Sequence, residues 1–292
     1  MTKTELLALL AELEVHPSRA LGQSFLTDTN LLDWIVRTAA PQAGEQLLEI
    51  GAGTGVLTGR LLDAGARVLA VEIDHRLAAY LRRHFADHPN LRLIEGDACD
   101  LDYDSLLGAE PYRCIANLPY AVSSVVLAHL IELRNPPRAA FVLLQIEMAE
   151  RLQAVPRTKA YGALSVLVQL DYEVRILRRI APEVFFPPPE VGSAYVRFIR
   201  RPDAVSRALR KQVRAVVRLG FGQRRKQLRK LLTAEFGEAR VTAAFARLGL
   251  AADVRAEALP VPTFAALAEQ LAESARLDQE IRKKPNGLGF SV

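Results

Sequence analysis

Asn117-Leu118-Pro119-Tyr120 places four chemical features in four consecutive residues: a carboxamide, a carbonyl, a rigid ring and an aromatic face. Pro119 has no N–H and biases Leu118 toward an extended conformation, which holds the Leu118 carbonyl in a fixed direction. Asn117 offers a side-chain oxygen as acceptor, and Tyr120 offers a flat surface on which a planar ring can stack. Two acceptors aimed at one amine, beside a stacking platform, suit an aromatic base swung out of its stack. The same four residues also suit an ordinary strand-to-helix turn with proline at the helix entry. Their surroundings decide between the two.

The stretch closes the apolar run Tyr112–Ala116, which reads as a buried strand, and reacting groups gather outside the carboxyl ends of strands in an open α/β sheet. Upstream, the strand Gln46–Ile50 runs into Gly51, Gly53 and Gly55, and a helix opens at Val56. Glycines there let the chain turn sharply and approach a ligand closely. A second strand, Arg67–Asp74, carries Glu72 about 20 residues beyond the first glycine, where an acid can accept from a ribose diol. A third, Leu91–Glu95, is followed by Gly96 and Asp97. Strand, glycine turn, helix, strand and acid form a nucleoside-binding half-sheet. The dinucleotide fingerprint Gly-x-Gly-x-x-Gly is absent. Gly-x-Gly-x-Gly preceded by Glu-Ile instead resembles motif I of class I methyltransferases, which bind S-adenosylmethionine. That resemblance implies that Glu72 holds the ribose hydroxyls and Asp97 accepts from the adenine amine. A dinucleotide-linked oxidoreductase, the competing reading, has no use for Asn-Leu-Pro-Tyr after the fourth strand, whereas amino-directed methyltransferases carry a similar motif there.

Composition sets the frame. The chain of 292 residues is 50% hydrophobic and 24% charged, which predicts a soluble protein of two domains. No apolar run approaches the ~18 residues of a membrane span, and the start lacks the basic-then-apolar order of a signal peptide. Two cysteines, Cys99 and Cys114, are too few for a disulfide framework and unsuited to zinc, so no metal and a cytoplasmic setting are expected. The net charge of +5 is uneven: Arg197–Leu232 holds thirteen Lys and Arg against one acid, Asp203. Arg207, Lys211, Arg214 and Arg218 recur at helical spacing, with Leu209, Val213, Val216 and Val217 opposite. Arg224, Arg225, Lys226, Arg229 and Lys230 follow. A face serving only solubility mixes both signs, so this one reads as a phosphate-contacting surface.

The remaining elements are read from periodicity. Helices are expected over Thr4–Val15, Leu31–Ala39 (capped by Asp28 or Thr29), from Glu147, and over Leu164–Leu170, Val241–Leu248 and Phe264–Ala275. Strands are expected over Ala139–Gln145, Tyr172–Leu177 and Ser193–Ile199, with a stiff aromatic–proline loop at Phe185–Pro189 and a disordered tail from Lys283.

Six motifs in order resemble the ribosomal RNA adenine dimethyltransferases of the KsgA/RsmA type, across almost the whole chain. They are Gly22–Leu26, Glu49–Gly55, Asn117–Tyr120, Pro156 with Lys159–Val166, Phe185-x-Pro-Pro-Pro-Glu-Val with Ser193-Ala194, and Gly220–Arg229. The resemblance implies an α/β class I methyltransferase fold, Rossmann-like with a mostly parallel seven-stranded sheet, and a smaller C-terminal all-α domain. It places an S-adenosylmethionine-binding catalytic domain at 1–200 and a basic RNA-contacting helical domain at 201–292. The implied cofactor contacts are Ser24, Leu26, Gly51, Gly53, Glu72, Asp97 and Asn117. Catalysis falls to Asn117, Leu118, Tyr120 and Phe185, with Tyr120 and Phe185 clamping the base from its two faces. RNA contacts fall to Lys211, Arg214, Arg218, Arg224 and Arg225. The implied activity is dimethylation of adenosines in small-subunit ribosomal RNA, by a monomer acting on an immature small subunit away from membranes. Two positions depart from the family: Ser24 replaces Asn, so a polar contact there must be shorter or water-bridged, and Gly192 replaces Asp. A large-subunit methyltransferase of the resistance type, or a non-enzymatic assembly factor on the same fold, are the alternatives.

Overall fold

The computed structural model describes residues 1–18, 22–86, 88–223 and 225–283, with side chains to residue 272. It divides into two compact units: Met1–Gln153 with Tyr172–Pro202, and Ala154–Asp171 with the chain from Asp203 onward.

Seven strands of the first unit form one sheet: β1 Gln46–Ile50, β2 Arg67–Glu72, β3 Leu91–Glu95, β4 Tyr112–Asn117, β5 Ala139–Gln145, β6 Tyr172–Ile180 and β7 Ser193–Arg200. Their order across the sheet is β3-β2-β1-β4-β5-β7-β6. The first five in that order run parallel, while β7 lies antiparallel to both its neighbours. Leu47, Leu48, Ile50, Val68, Ala70, Cys114 and Ile115 are buried, because helices covering a parallel sheet demand continuous apolar runs rather than alternation. The helices of this unit are α1 Lys3–Glu12, α2 Thr29–Ala39, α3 Val56–Asp63, α4 His75–His84, α5 Tyr103–Leu107, α6 Ser123–Glu132 and α7 Ile146–Gln153, of which α1 packs on Phe25 and Leu77. Asp28 caps α2 by accepting from the Leu31 N–H at 2.9 Å, and Asp74 caps α4 in the same way. The strand order reverses between β1 and β4, the point at which an open α/β sheet leaves a crevice.

Two elements differ from the sequence reading. β6 continues past Leu177 to Ile180, with a register shift between Ile176 and Arg178. It is an edge strand, where charged side chains such as Arg178 and Arg179 are tolerated and guard against further pairing. Phe185–Phe186 is not merely a stiff loop but pairs antiparallel with Phe25–Leu26.

The second unit comprises α8 Ala163–Gln169, α9 Arg207–Gly222, α10 Leu228–Phe236, α11 Glu238–Arg247 and α12 Val261–Lys283. Its core joins Tyr161, Val166 and Leu170 to Val213, Val217, Leu228, Leu232, Phe245, Phe264 and Leu267. The expected boundary at residue 200 is therefore corrected. Ala154–Asp171, read as part of the catalytic domain, gives its apolar side chains to the helical core, and the Tyr161 hydroxyl donates to the Leu259 carbonyl at 2.9 Å. A buried ion pair reinforces this: Arg210 Nε donates to Asp171 Oδ2 at 2.6 Å, and Asp171 Oδ1 accepts from the Val205 N–H. Gly220 lets α9 approach its neighbours, since a Cβ there would lie 2.9 Å from Leu228 and 3.0 Å from Ala256. α12 is longer than its expected Phe264–Ala275 span, and residues beyond Lys283 lie outside the described chain. Among the described residues no helix is long and apolar enough to cross a membrane.

Candidate active site

A cavity of about 290 Å3 opens at the carboxyl ends of β1, β2, β3 and β4. Its wall includes Gln23, Ser24, Gly51, Gly53, Glu72, Asp97, Asn117, Leu118 and Tyr120.

The glycine turn shapes the floor. Gly51 has φ +75°, and a Cβ built on it would sit 3.1 Å from the Pro119 ring, so only glycine lets the β1 turn and the β4 turn close on each other. Gly53 has φ +59°, and a Cβ built on it would sit 3.3 Å from the Phe25 ring. The turn's own amides are engaged internally. Those of Gly51 and Ala52 donate to the Val71 carbonyl, that of Gly55 to the Ala52 carbonyl, and that of Gly53 to Glu72 Oε2 at 2.7 Å.

Glu72 is 4% exposed, and its other oxygen accepts from the Asp74 N–H at 2.9 Å. Burial raises its pKa despite these two donors. Asp97 Oδ1 accepts from the Cys99 N–H at 2.8 Å, which fixes the carboxylate at the end of β3. Beneath the turn lies Glu49, 1% exposed, whose Oε2 has no hydrogen-bond partner. Burial, with the Glu72 carboxylate nearby, pushes its pKa up to about 8, so Glu49 is largely protonated at neutral pH.

The Asn117 amide is oriented. Its Nδ2 donates to the Ser24 carbonyl at 2.9 Å, so its oxygen is the end left to accept. Ser24 in turn donates its hydroxyl to the Pro187 carbonyl at 2.8 Å. One residue thus ties together the N-terminal motif, the β4 turn and the aromatic–proline segment. The Tyr120 hydroxyl is hydrogen-bonded to that of buried Ser193 at 2.5 Å, which anchors its ring, and burial raises its pKa. Gly22 closes the lip: a Cβ there would meet the Tyr120 and Ala121 backbone nitrogens at 2.9 and 2.7 Å.

Two expected contacts are not on the cavity wall. Phe185 is 3% exposed and packs in the main apolar core together with Leu26. Side chains alternate along a strand pair, so Leu26 and Phe185 face one way while Phe25 and Phe186 turn toward Leu6, Leu10 and Leu77. Phe25 lines this cavity, and Leu26 lines a smaller one beside it together with Gly51, Gly53 and Asn117. Gln23, Ser193 and the Ser24 carbonyl were not assigned these roles from sequence. No spacing rule links positions 93 or 73 residues apart.

In the helical unit the basic stripe is real: Arg207, Lys211, Arg214 and Arg218 are all exposed on α9. Arg218 and Arg225 line a separate groove of about 870 Å3 with Lys226, Lys230 and Arg255, while Lys211 and Arg214 do not reach its wall. Arg224 lies outside the described residues.

The sheet order, the glycine-rich first turn and a cavity at the β1–β4 reversal are those of a class I methyltransferase. Residues 16–273 match the model of the ribosomal RNA adenine dimethylase family, and the chain belongs to that family. Among curated relatives, the ribosomal RNA small subunit methyltransferase A of Anaeromyxobacter sp. (strain K) is 42% identical over 277 residues, covering 90% of this chain and 96% of its own. The protein of that name from Streptococcus uberis is 36% identical, covering 87% and 92%. A solved dimethyladenosine transferase from Plasmodium falciparum shares the fold with TM-score 0.72 at 24% identity, covering 86% of this chain and 98% of that one. The 23S rRNA methyltransferase ErmE gives TM-score 0.65 at 26% identity, covering 85% and 99%.

Proposed function

We propose that the protein transfers methyl groups from S-adenosylmethionine to the exocyclic amine of adenosines in small-subunit ribosomal RNA, giving dimethyladenosine during ribosome biogenesis. The observation that carries the reading is the Asn117 amide. Its nitrogen is tied to the Ser24 carbonyl, and its oxygen is left as acceptor on a cavity also walled by Glu72 and Asp97. The cavity fits the cofactor. Gly51 and Gly53, both at positive φ on its wall, bring no side chain to it, and two carboxylates at adjacent strand ends supply acceptors for ribose hydroxyls and an adenine amine.

When bound, S-adenosylmethionine supplies an electrophilic methyl group. The chain's part is positioning. An adenine amine is a poor nucleophile because its lone pair is delocalised into the ring. With Asn117 Oδ1 and the Leu118 carbonyl accepting its two N–H bonds, the nitrogen is drawn toward tetrahedral geometry. Tyr120, held by Ser193, offers the face on which the base stacks. No strong base is needed, because the departing proton is acidic once the nitrogen carries the methyl group. Alignment of this kind can supply up to several kcal/mol of the barrier. The exposed cations of α9 and the groove beside Arg225 hold RNA phosphates.

The small subunit is favoured over the large because relatives named for it reach 36–42% identity, against 26% for ErmE. A cavity that keeps Glu72, Asp97 and Asn117 together on its wall argues against a pure assembly factor. Incubation with methyl-labelled cofactor and immature small or large subunits tests the proposal. Label in small-subunit dimethyladenosine is expected. Label confined to large-subunit RNA, or none at all, would refute it.

A further inference from the structure

Tyr103, Tyr161, Tyr172 and Tyr195 donate through their hydroxyls to main-chain carbonyls, and each lies against another aromatic ring. Tyr120 differs on both counts. Its ring makes no aromatic contact among the described residues and lines the cavity instead. Its hydroxyl meets a side chain, Ser193 Oγ, at 2.5 Å. Ser193 is 1% exposed and begins β7, paired with Gln145 of β5 and Ile180 of β6, so its hydroxyl is mounted on the sheet itself. The Tyr120 main chain is held separately, its carbonyl accepting from the Ser123 hydroxyl at 3.2 Å. What the hydroxyl pair restrains is therefore the swing of the ring, not the path of the chain.

A second methyl transfer needs that restraint more than the first. An unmodified adenine amine has two N–H bonds, one for Asn117 Oδ1 and one for the Leu118 carbonyl. After one methylation a single N–H remains, so one acceptor loses its donor and the base can turn about the hydrogen bond that is left. Stacking on Tyr120 is then the main restraint on its orientation. We propose that Ser193 is a positioning residue that sets how many methyl groups each adenosine receives, by holding the Tyr120 ring in place for the second transfer. The inference rests on the reading of Asn117–Tyr120 as the seat of the target amine. In each transfer the nitrogen lone pair forms the new N–C bond while the methyl's C–S bond breaks with its electrons left on sulfur, and one amine proton leaves to solvent. The two transfers share these bond changes and differ in how many N–H bonds orient the nitrogen.

The test follows N6-monomethyladenosine and dimethyladenosine over time by nucleoside mass spectrometry, with enzyme in excess over immature small subunits and saturating S-adenosylmethionine. In Ser193→Ala the ratio of second- to first-transfer rates is expected to fall about tenfold, so that the monomethyl product accumulates. Tyr120→Phe, which keeps the ring and removes its hydroxyl, should shift the ratio in the same way, and the double variant should be no worse than either single one. Calorimetric affinity for S-adenosylhomocysteine should match wild type in Ser193→Ala, which puts the effect on the base rather than the cofactor. A wild-type ratio in both single variants, both transfers slowed equally, or additive effects in the double variant would each overturn the proposal while leaving the methyltransferase reading intact. A wild-type protein that methylates no adenosine would overturn both.

Discussion

The cavity of the sheet unit and the basic face of the helical unit handle polar groups in opposite ways. Around the cavity nearly every polar side chain is tied to another part of the wall: Glu72 to Gly53 and Asp74, Asn117 to Ser24, Ser24 to Pro187, Tyr120 to Ser193. In the helical unit Lys211, Arg218, Arg225, Lys226 and Lys230 stand exposed, four of them around one groove, while buried Arg210 is locked to Asp171. The first arrangement fixes direction and suits chemistry on a single atom. The second supplies charge density without fixed geometry and suits a phosphate backbone that must be held but not read.

The largest stability effect is expected where the helical unit departs from that pattern. Asp171→Ala leaves Arg210 buried without its partner and should cost about 3–5 kcal/mol in urea unfolding. A loss below 1 kcal/mol would mean that the pair is not what joins Ala154–Asp171 to the helical core.

Glu49 tests the cavity side. Its folded pKa of about 8 lies above the ordinary carboxylate value, so the native state holds a proton that the unfolded chain releases. Wild-type stability should therefore fall as pH rises from about 4.5 to about 8 and level off above that. Glu49→Gln, which stays neutral, should lack that decline and gain on wild type by on the order of a few kcal/mol at pH 8. Parallel stability-versus-pH curves for the two proteins would contradict the buried neutral carboxyl.

How much of this was legible in the sequence follows the same division. The glycine turn, Glu72, Asp97 and Asn117 stand at strand ends that periodicity located well, and all of them line one cavity. The basic stripe was legible because exposed helical positions are set by spacing alone. What sequence could not show was pairing between distant segments. The ladder of Phe25–Leu26 with Phe185–Phe186 decides which aromatic faces the core, and a two-residue strand has no periodicity to read. Arg210 was hidden for a different reason. It sits among exposed arginines, and only a partner 39 residues away shows that it is buried.

Smaller effects sharpen the contrast further. Glu72→Ala should weaken S-adenosylhomocysteine binding by about 1–3 kcal/mol through loss of an acceptor for the ribose. Wild-type affinity by calorimetry would remove that assignment. On the helical side no single cation should matter much. Changing Lys211, Arg214, Arg218 and Arg225 to Gln should lower the salt dependence of RNA binding by roughly 0.7–0.9 per lost phosphate contact, with cofactor affinity hardly moved. An unchanged salt slope would make the stripe a solvated surface.

Asn117 tests most directly whether the cavity acts by positioning the target amine. Asn117→Ala should fold normally and bind immature small subunits with wild-type salt dependence. Its single-turnover methyl transfer at saturating cofactor, read by mass spectrometry of nucleosides from small-subunit RNA, should fall on the order of a hundredfold or more. A variant that folds, binds and yields dimethyladenosine at close to the wild-type rate would contradict the account.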